Sequence, residues 1–228
     1  MELNILCDFD GTIALQDTTD MVLSAYAHPD WEYIEEEWKA GKIGSAECMQ
    51  RQIELLDATP SEIGALLDNV EIDPYFSHFV HFCRQHDLPL LIVSDGVDYF
   101  IRYVLARYGL GHLPIRSNHL LSRDEKHYTL TFPHAAAGCR SRSGTCKCAL
   151  AGHSAATVLV GDGRSDFCLA HEANLTLAKK NLLDYCRRHA LRHMAFDNFS
   201  DVRAVISTLI GTPDYAPPAQ VDTLSIAI

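Results

Sequence analysis

The amino-acid sequence predicts an α/β fold, in which a parallel β-sheet is covered by helices on both faces and a helical segment is inserted after the first strand. Two observations predict it. Short, uninterrupted apolar runs alternate along the chain with amphipathic stretches, which is typical of parallel strands buried on both faces. The chain between the first two apolar runs is acidic and helix-like, and it has no strand pattern.

Four apolar runs predict the parallel strands, in chain order. They are "LNILCDF" at 3–9, "LPLLIVS" at 88–94, "ATVLVGD" at 156–162 and "ANLTLA" at 173–178. Between the second and the third, residues 114–132 predict one further strand followed by a hairpin, because two apolar stretches flank the polar segment "SRDEKH".

The order of these patterns predicts three parts of the chain. Residues 1–14 and 74–212 are expected to form the core with the parallel sheet, and residues 15–73 a small helical cap. Segments such as "WEYIEEEWKAGK" and "SAECMQRQIELL" carry the helical pattern of the cap. Residues 213–228 are rich in proline and are expected to form an irregular tail.

Composition limits the classes of function. The chain has 228 residues, 47% of them hydrophobic, and a net charge of −11. Such an acidic chain is not expected to bind nucleic acid or an anionic membrane surface. No apolar run approaches the ~20 residues that cross a bilayer, and the first residues lack the pattern of a signal peptide. We therefore expect a cytoplasmic protein, either a monomer or a homodimer, that acts on a small molecule.

Chemically active side chains follow the predicted strands. Asp8 and Asp10 follow the first strand, the segment "SDG" at 94–96 ends the second, and "GDGRSD" at 161–166 ends a later one. Lys147 begins a predicted helix before that later strand. Ligands of open parallel sheets bind at the carboxyl ends of the strands. We therefore expect these groups to meet at one edge of the sheet.

Clustered carboxylates need a cation to offset their repulsion, and an oxygen-only set with few protein ligands suits Mg²⁺. Asp8 and Asp162 could each supply a ligand. A carboxylate held in this way can also be a nucleophile that forms an aspartyl-phosphate. Asp10 lies two residues further, on the same side of an extended chain, where it could protonate a leaving oxygen and later deprotonate water.

The remaining groups suit a phosphoryl dianion. Ser94, Lys147 and backbone N–H groups near Gly11 and Gly96 could bind its oxygen atoms, where preorganised donors contribute most to phosphoryl transfer. Thr12, the last residue of "DFDGT", is placed with these substrate-binding residues. The sequence thus favours a phosphatase or a phosphotransferase.

The motifs "DFDGT", the serine of "VSDG", the lysine of "CKC" and "GDGRSD" resemble, in this order, the four signature motifs of the haloacid dehalogenase superfamily. The resemblance implies a Rossmann-like core and Mg²⁺ as cofactor. It implies that Asp8 is the nucleophile and Asp10 the acid and base. It also implies that Asp162, Asp8 and the Asp10 carbonyl hold Mg²⁺, while Asp166 supports Lys147 and the metal site.

A narrower resemblance covers most of residues 3–210. "CDFDGTIALQD", "FPH" at 132–134, the cysteine-rich approach to Lys147 and the segment at 178–202 are similar to the 2-hydroxy-3-keto-5-methylthiopentenyl-1-phosphate phosphatases of methionine salvage. The cap resembles that of the phosphoserine-phosphatase-like branch. The implied substrate is the enediol phosphate of methionine salvage, or another small phosphorylated metabolite.

The cap departs from the phosphoserine phosphatase pattern. Gln52 stands where those enzymes carry the arginine that binds the substrate carboxylate, although Arg51 is adjacent. Asp17 could replace the acidic residue found early in that cap. Asp95 in "SDG" adds a negative charge beside the predicted phosphate site. These departures disfavour phosphoserine as the substrate, and Asp17, Arg51 and Asp95 are predicted to contact the substrate.

Two alternatives remain open on sequence grounds. One is a phosphoserine phosphatase, or a phosphotransferase with an acceptor other than water. The other is a non-enzyme, such as a sensor of a phosphorylated metabolite or an interaction module stabilised by zinc. The donors for zinc would be His134, Cys139, Cys146 and Cys148, whose loose spacing favours free thiols instead. The remaining cysteines are predicted to be small core residues with free thiols, namely Cys7, Cys48, Cys83, Cys168 and Cys186.

Overall fold

The structure of the chain, a computed structural model, describes residues 3–151 and 156–211. A seven-stranded sheet forms its centre, with strand order β4-β3-β2-β1-β5-β6-β7. The predicted tail at 213–228 lies outside the described residues. The strands are β1 (Leu3–Cys7), β2 (Leu90–Val97), β3 (Ile115–Ser122), β4 (Tyr128–Thr131), β5 (Ala156–Gly161), β6 (Leu175–Ala178) and β7 (His193–Ala195).

The sheet is parallel apart from one hairpin. β1 lies between β2 and β5, with Ile5 opposite Leu90 on one side and Val158 on the other. β3 and β4 pair antiparallel, as the hairpin prediction required. The predicted α/β fold with a mostly parallel sheet is confirmed. The short β7, three residues that include histidine and methionine, lacks the apolar run by which the other strands were predicted.

Helices cover both faces of the sheet. Ile5 belongs to the larger core cluster, whereas its neighbour Leu6 belongs to a second cluster, because successive strand residues point to opposite faces. Phe79, Phe100 and Phe199 cover the first face. The helices of the described residues are α1 (Thr18–Tyr26), α2 (Asp30–Lys39), α3 (Ser45–Ile53), α4 (Pro60–Leu67), α5 (Phe76–Gln85), α6 (Asp98–Arg107), α7 (Phe167–Ala170), α8 (Lys180–Arg188) and α9 (Phe199–Leu209).

Four helices, α1 to α4, occupy residues 15–73. Ile34, Ile43 and Cys48 from α2, α3 and their connection form a small cluster of their own. α1 and α4 instead contribute Val22 and Ile63 to the main core. α2 and α3 are thus the part of this segment with a separate apolar centre. The division of the chain into a core and a cap stays a prediction.

The cysteines correct one prediction. Cys148 and Cys168 form a disulfide between the 3-10 helix at Lys147–Leu150 and α7. The prediction that these two thiols are free is therefore wrong. The pairing joins residues 20 positions apart in sequence, and no local pattern signals it. The other six cysteines are free and buried. None of the described helices has the length and hydrophobicity that a membrane crossing requires.

Candidate active site

Asp8 is the first residue beyond β1, at the carboxyl edge of the sheet. Its backbone N–H donates to the carbonyl of Val160, and this hydrogen bond holds the residue after β1 against the neighbouring strand β5. Its carboxylate is buried, and Oδ1 accepts a hydrogen bond of 2.8 Å from the backbone N–H of Phe9. A buried strand terminated by aspartate therefore fixes a carboxylate where ligands of parallel sheets bind.

Lys147 lies buried between two carboxylates. Its Nζ is 2.8 Å from Asp8 Oδ1 and 2.7 Å from Asp166 Oδ1, and it donates to Ser165 Oγ at 3.0 Å. Burial alone would lower the pKa of the ammonium, but Asp166 and Asp8 outweigh this effect and raise the pKa. Lys147 therefore stays charged and holds the side chain of Asp8 in one orientation.

The pKa of Asp8 is raised to about 7. Burial is the main cause, the negative charge of Asp166 adds to it, and Lys147 opposes it. Burial disfavours the ionised form of a carboxyl group, and an additional cation nearby stabilises that form. The electrostatics therefore favour a metal ion or another cationic group beside Asp8.

The side chain of Asp10 is held by the start of α1. Its Oδ1 accepts from the backbone N–H of Thr18 at 2.8 Å and from Thr18 Oγ1 at 2.7 Å. Burial raises the pKa of Asp10 well above its ordinary value, and the charge of Asp17 raises it further. A carboxyl group with a raised pKa and a fixed side chain is suited to donate and accept a proton.

Three carboxylates can approach one metal ion. Asp8, Asp162 and Asp166 each offer an oxygen, and these oxygens lie within 4.8 Å of one another. Asp166 also accepts through Oδ2 from the backbone N–H groups of Asp162 and Gly163, at 3.2 and 3.3 Å, which keeps the loop after β5 folded around it. This all-oxygen donor set fits Mg²⁺.

Asp162, the second metal-binding candidate, is held by residues that follow β1 and by the first residue of α8. Thr12 Oγ1 donates to Asp162 Oδ1 at 3.3 Å, and Lys180 Nζ lies 3.0 Å from Oδ2. Gly11, whose φ of +69° is the left-handed conformation, passes so close that an added Cβ would overlap Asp162 Oδ2. Lys180 also donates to the carbonyl of Gly11 at 3.1 Å. Thr12 thus orients Asp162 and does not line the cavity, and Lys180 is a site residue that the sequence did not predict.

The predicted group Ser94 to Gly96 also reaches the site, and the structure places it within the last part of β2. Ser94 is buried, and its Oγ accepts from the backbone N–H of Gly96 at 2.9 Å. The carboxylate of Asp95 accepts from Ser45 Oγ at 2.5 Å and from the backbone N–H of Thr145 at 3.0 Å. Burial raises the pKa of Asp95. Asp95 therefore ties the start of α3 to the loop before Lys147.

A cavity of about 380 Å³ joins these groups. Its wall includes the predicted residues Asp8, Asp10, Gly11, Asp17, Ser94, Asp95, Gly96 and Asp162. Thr19 also lines it, and within the described residues its buried Oγ1 has no hydrogen-bond partner. A buried hydroxyl without a partner is costly unless a ligand or water satisfies it. The cavity therefore offers both a carboxylate cluster and a free hydroxyl to a polar ligand.

Residues of α2 and α3 also line this cavity. They present the apolar side chains of Trp38 and Met49 beside the polar side chains of Glu35 and Gln52. Gln52 Nε2 donates to Glu35 Oε2 at 3.1 Å, so the two polar groups are fixed relative to each other. The sequence analysis had placed Gln52 at the position of the carboxylate-binding arginine of phosphoserine phosphatases. Trp38 and Met49 were not among the predicted site residues, because apolar positions on a helix predict a core as readily as a pocket.

Arg51 is not brought to the cavity. Its guanidinium lies 2.8 Å from Glu37 Oε2 and 3.7 Å from Glu47 Oε1, and it is not part of the cavity wall. Asp17 does line the cavity, and its carboxylate also accepts from the backbone N–H of Asp20 at the start of α1. In the part of the chain that the structure describes, the acidic triad is the cluster found to suit a metal, and the histidine and cysteines considered for zinc form no such cluster.

Comparisons with known proteins agree with this geometry. The sequence profile of the haloacid dehalogenase-like hydrolases matches residues 5–171. A 2-hydroxy-3-keto-5-methylthiopentenyl-1-phosphate phosphatase of Brevibacillus brevis is 31% identical over 212 residues, which is 90% of this chain and 95% of the relative. The Bacillus velezensis protein of the same name is 30% identical over 90% of both chains.

Solved structures show the same fold. A phosphoserine phosphatase with a phospho-aspartyl intermediate analogue superposes with a TM-score of 0.66 at 19% identity, over 91% of this chain and 98% of the other. A substrate-bound phosphoserine phosphatase gives a TM-score of 0.64 at 19% identity, over 90% and 97% of the two chains. The chain belongs to the haloacid dehalogenase-like hydrolase family and is an enzyme of the phosphoric monoester hydrolase class.

Proposed function

We propose that this enzyme is a Mg²⁺-dependent phosphomonoesterase that hydrolyses a small phosphorylated metabolite through an aspartyl-phosphate on Asp8. The observation that carries the proposal is the buried ion pair between Asp8 and Lys147, with Asp10 two residues away at the same cavity. Binding alone does not require a fixed carboxylate beside a proton donor of raised pKa, whereas nucleophilic catalysis does.

The reaction needs two steps, and the residues present supply both. An Asp8 carboxylate oxygen forms a bond to phosphorus while the bond from phosphorus to the leaving oxygen breaks, and protonated Asp10 gives its proton to that oxygen. Asp10 then accepts a proton from water as the water oxygen bonds to phosphorus and the bond from Asp8 to phosphorus breaks. Free enzyme and phosphate result, and Asp10 holds its proton again.

Other groups position the phosphoryl group. In this proposal Ser94 and backbone N–H groups near Gly11 and Gly96 donate to its oxygens, and Lys147 keeps Asp8 in its orientation. Mg²⁺, bound through Asp8 and Asp162 with support from Asp166, would neutralise charge on the phosphoryl oxygens. The Asp10 carbonyl is the third proposed metal contact. Preorganised charge of this kind is the main source of acceleration in phosphoryl transfer.

For the substrate we propose the enediol phosphate of methionine salvage or a related keto or sugar phosphate. The names of the curated relatives at about 30% identity support this choice. The wall made by Trp38, Met49, Glu35 and Gln52 offers apolar contact together with hydrogen bonds. Such a wall suits a short chain that carries a thioether and hydroxyl groups.

Phosphoserine is the alternative substrate, since solved phosphoserine phosphatases share the fold. The side chain in the cavity is Gln52, and Arg51 is paired with Glu37 and Glu47. An amide binds a carboxylate more weakly than a guanidinium fork does, because it has no charge and fewer donors. At the Gln52 position the cavity wall therefore favours a leaving group without a carboxylate.

A substrate comparison in Mg²⁺ tests the proposal. We expect a higher kcat/KM for the freshly generated enediol phosphate, or for a small keto-sugar phosphate, than for phosphoserine. Gln52→Arg is the matched variant, and it should raise kcat/KM for phosphoserine selectively. A tenfold preference of the unaltered enzyme for phosphoserine, equivalent to about 1.4 kcal/mol of transition-state stabilisation, would overturn the substrate assignment.

A further inference from the structure

A second cavity, of about 210 Å³, adjoins the catalytic one. The two share part of their walls, including Ser45, Asp95, Arg164 and Ser165. Residues 140–143, in the loop before Lys147, also line the second cavity, together with Gly41 and Ile43. A ligand in this cavity would therefore lie next to the catalytic groups without occupying the space in front of Asp8.

Three arginines line this second cavity, namely Arg140, Arg142 and Arg164. Within residues 3–151 and 156–211, none of their guanidinium groups lies within 4.0 Å of a carboxylate, in a chain of net charge −11. Other arginines are paired, for example Arg51 with Glu37 and Arg123 with Glu54. Three unpaired guanidinium groups around one cavity repel each other and gain from a shared anion.

The acidic wall residue does not neutralise these charges. Asp95 directs its carboxylate to Ser45 Oγ and to the backbone N–H of Thr145, and burial raises its pKa. The side chain of Arg164 is held by the end of α2. Its guanidinium lies 5.0 Å from the ring of Trp38 and donates to the carbonyl of Lys39 at 3.4 Å. The guanidinium of Arg164 is thus held at the cavity, and in the described part of the chain all three exposed arginines are free of acidic partners.

The arginine loop is docked against the start of α3. The backbone N–H groups of Ser45 and Ala46 donate to the carbonyls of Ser141 and Arg142, at 3.3 and 3.0 Å. A Cβ on Gly44 would lie 2.5 Å from the Cβ of Arg142, so the close approach needs glycine there. Arg142 itself has φ of +47°, a conformation that non-glycine residues adopt at a cost. The loop is therefore held in a defined position beside the cap.

We propose that this second cavity is an oxyanion-binding site, built by Arg140, Arg142 and Arg164, beside the catalytic pocket. Guanidinium forks bind phosphate and carboxylate oxygens through paired N–H donors. The oxyanion has two possible sources, namely free inorganic phosphate or a second anionic group on the substrate. The site goes beyond the proposed hydrolysis.

Calorimetric titration with inorganic phosphate tests the site without any turnover. The variant is the double substitution Arg140→Ala and Arg142→Ala, which leaves every residue of the catalytic pocket in place. The matched control is Arg84→Ala with Arg102→Ala, two exposed arginines on α5 and α6. We expect the unaltered enzyme and the control to bind phosphate in the second cavity in addition to the catalytic pocket. The arginine variant should lose that additional binding or weaken it about tenfold or more.

A kinetic comparison separates the two sources. Fructose 1-phosphate and fructose 1,6-bisphosphate share a sugar and differ in one anionic group. If the substrate supplies the anion, the bisphosphate should have the lower KM with the unaltered enzyme, and the arginine variant should lose this difference at unchanged kcat. If free phosphate is the ligand, only the calorimetric binding should be lost. Either result supports the site.

The proposal is overturned if the arginine variant matches the unaltered enzyme and the control both in phosphate binding and in the KM comparison. Thermal unfolding of the variants verifies that each is folded. A second pair, Arg140→Lys with Arg142→Lys, keeps the charge but removes the fork, and it should retain part of the phosphate binding. Because the titration needs no turnover, its failure is distinguishable from a failure of the proposed hydrolysis.

Discussion

The ammonium of Lys147 lies 2.8 Å from Asp8 Oδ1, although 139 residues separate the two in sequence and both side chains are almost wholly buried. The same ammonium lies 2.7 Å from Asp166. One positive charge therefore holds two buried carboxylates. The same ion pair fixes the orientation of Asp8 and compensates its negative charge. A change at Lys147 should therefore affect both the stability of the fold and the reactivity of Asp8.

Replacement of this lysine should destabilise the fold. Lys147→Met leaves Asp8 and Asp166 buried without their cation, which typically costs about 3–5 kcal/mol. The control is Lys126→Met, whose exposed pair with Asp57 at 3.3 Å should contribute about 0–1 kcal/mol. Urea unfolding of the metal-free proteins measures both. Equal stability of the two variants would show that the buried pair does not hold the site together.

Asp10→Asn should affect substrates according to their leaving group. The amide keeps the Oδ1 acceptor for Thr18 but cannot donate a proton as the carboxyl group does. Alkyl phosphates should lose about 10²–10⁴-fold in rate of phosphoryl transfer, whereas activated aryl phosphates, which leave without a proton, should lose far less. Single-turnover kinetics on both ester types measures this step. An equal loss on both types would remove Asp10 from the role of general acid.

The same variant should change how stability depends on pH. The folded-state pKa of Asp10 is raised well above 3.8, so the folded state holds this proton more tightly than the unfolded chain does. Asp10 therefore contributes stability below about pH 4, and that contribution is lost as pH rises through the folded-state pKa. Relative to the unaltered enzyme, metal-free Asp10→Asn should become more stable as pH rises. Urea midpoints measured at several pH values test this, and parallel curves for the two proteins would contradict it.

Metal removal should stop turnover reversibly. Asp8, Asp162 and Asp166 form an all-oxygen cluster, so chelation with EDTA should abolish hydrolysis and Mg²⁺ should restore it. Ca²⁺ should restore little, because its longer and less regular coordination misplaces the nucleophile. Asp162→Asn should raise the Mg²⁺ concentration needed for half-maximal rate. Full activity in a verified metal-free preparation would exclude the proposed role of the ion.

The sequence predicted the sheet and its functional edge because both follow from local patterns. Apolar runs that end in aspartate or glycine identify β1 and β5, and parallel strands bring their carboxyl ends together. Asp8 and Asp162 could therefore be placed from the chain alone. The mostly parallel sheet and the family membership are confirmed, whereas the roles of the individual site residues stay predictions.

No local sequence pattern predicted the contacts between residues that are far apart in the sequence. Thr12 was expected to touch substrate but donates to Asp162, 150 positions away. Lys180 reaches the same carboxylate from the start of α8, and the only local hint is its position just after β6. Cys148 and Cys168 pair because two helices meet in space. Tertiary packing decides these features, and spacing along the chain does not encode it.

The central claim is that Asp8 carries the phosphoryl group during turnover. Asp10→Asn should slow attack by water and let the intermediate accumulate, so this variant can be quenched in acid during reaction with a ³²P-labelled activated aryl phosphate. Borohydride then reduces an aspartyl-phosphate to homoserine, which peptide mass spectrometry locates. We predict labelled protein with homoserine at position 8, and no labelling in Asp8→Asn. Label at another residue, or continued release of the aryl alcohol without any labelled protein, would contradict the account.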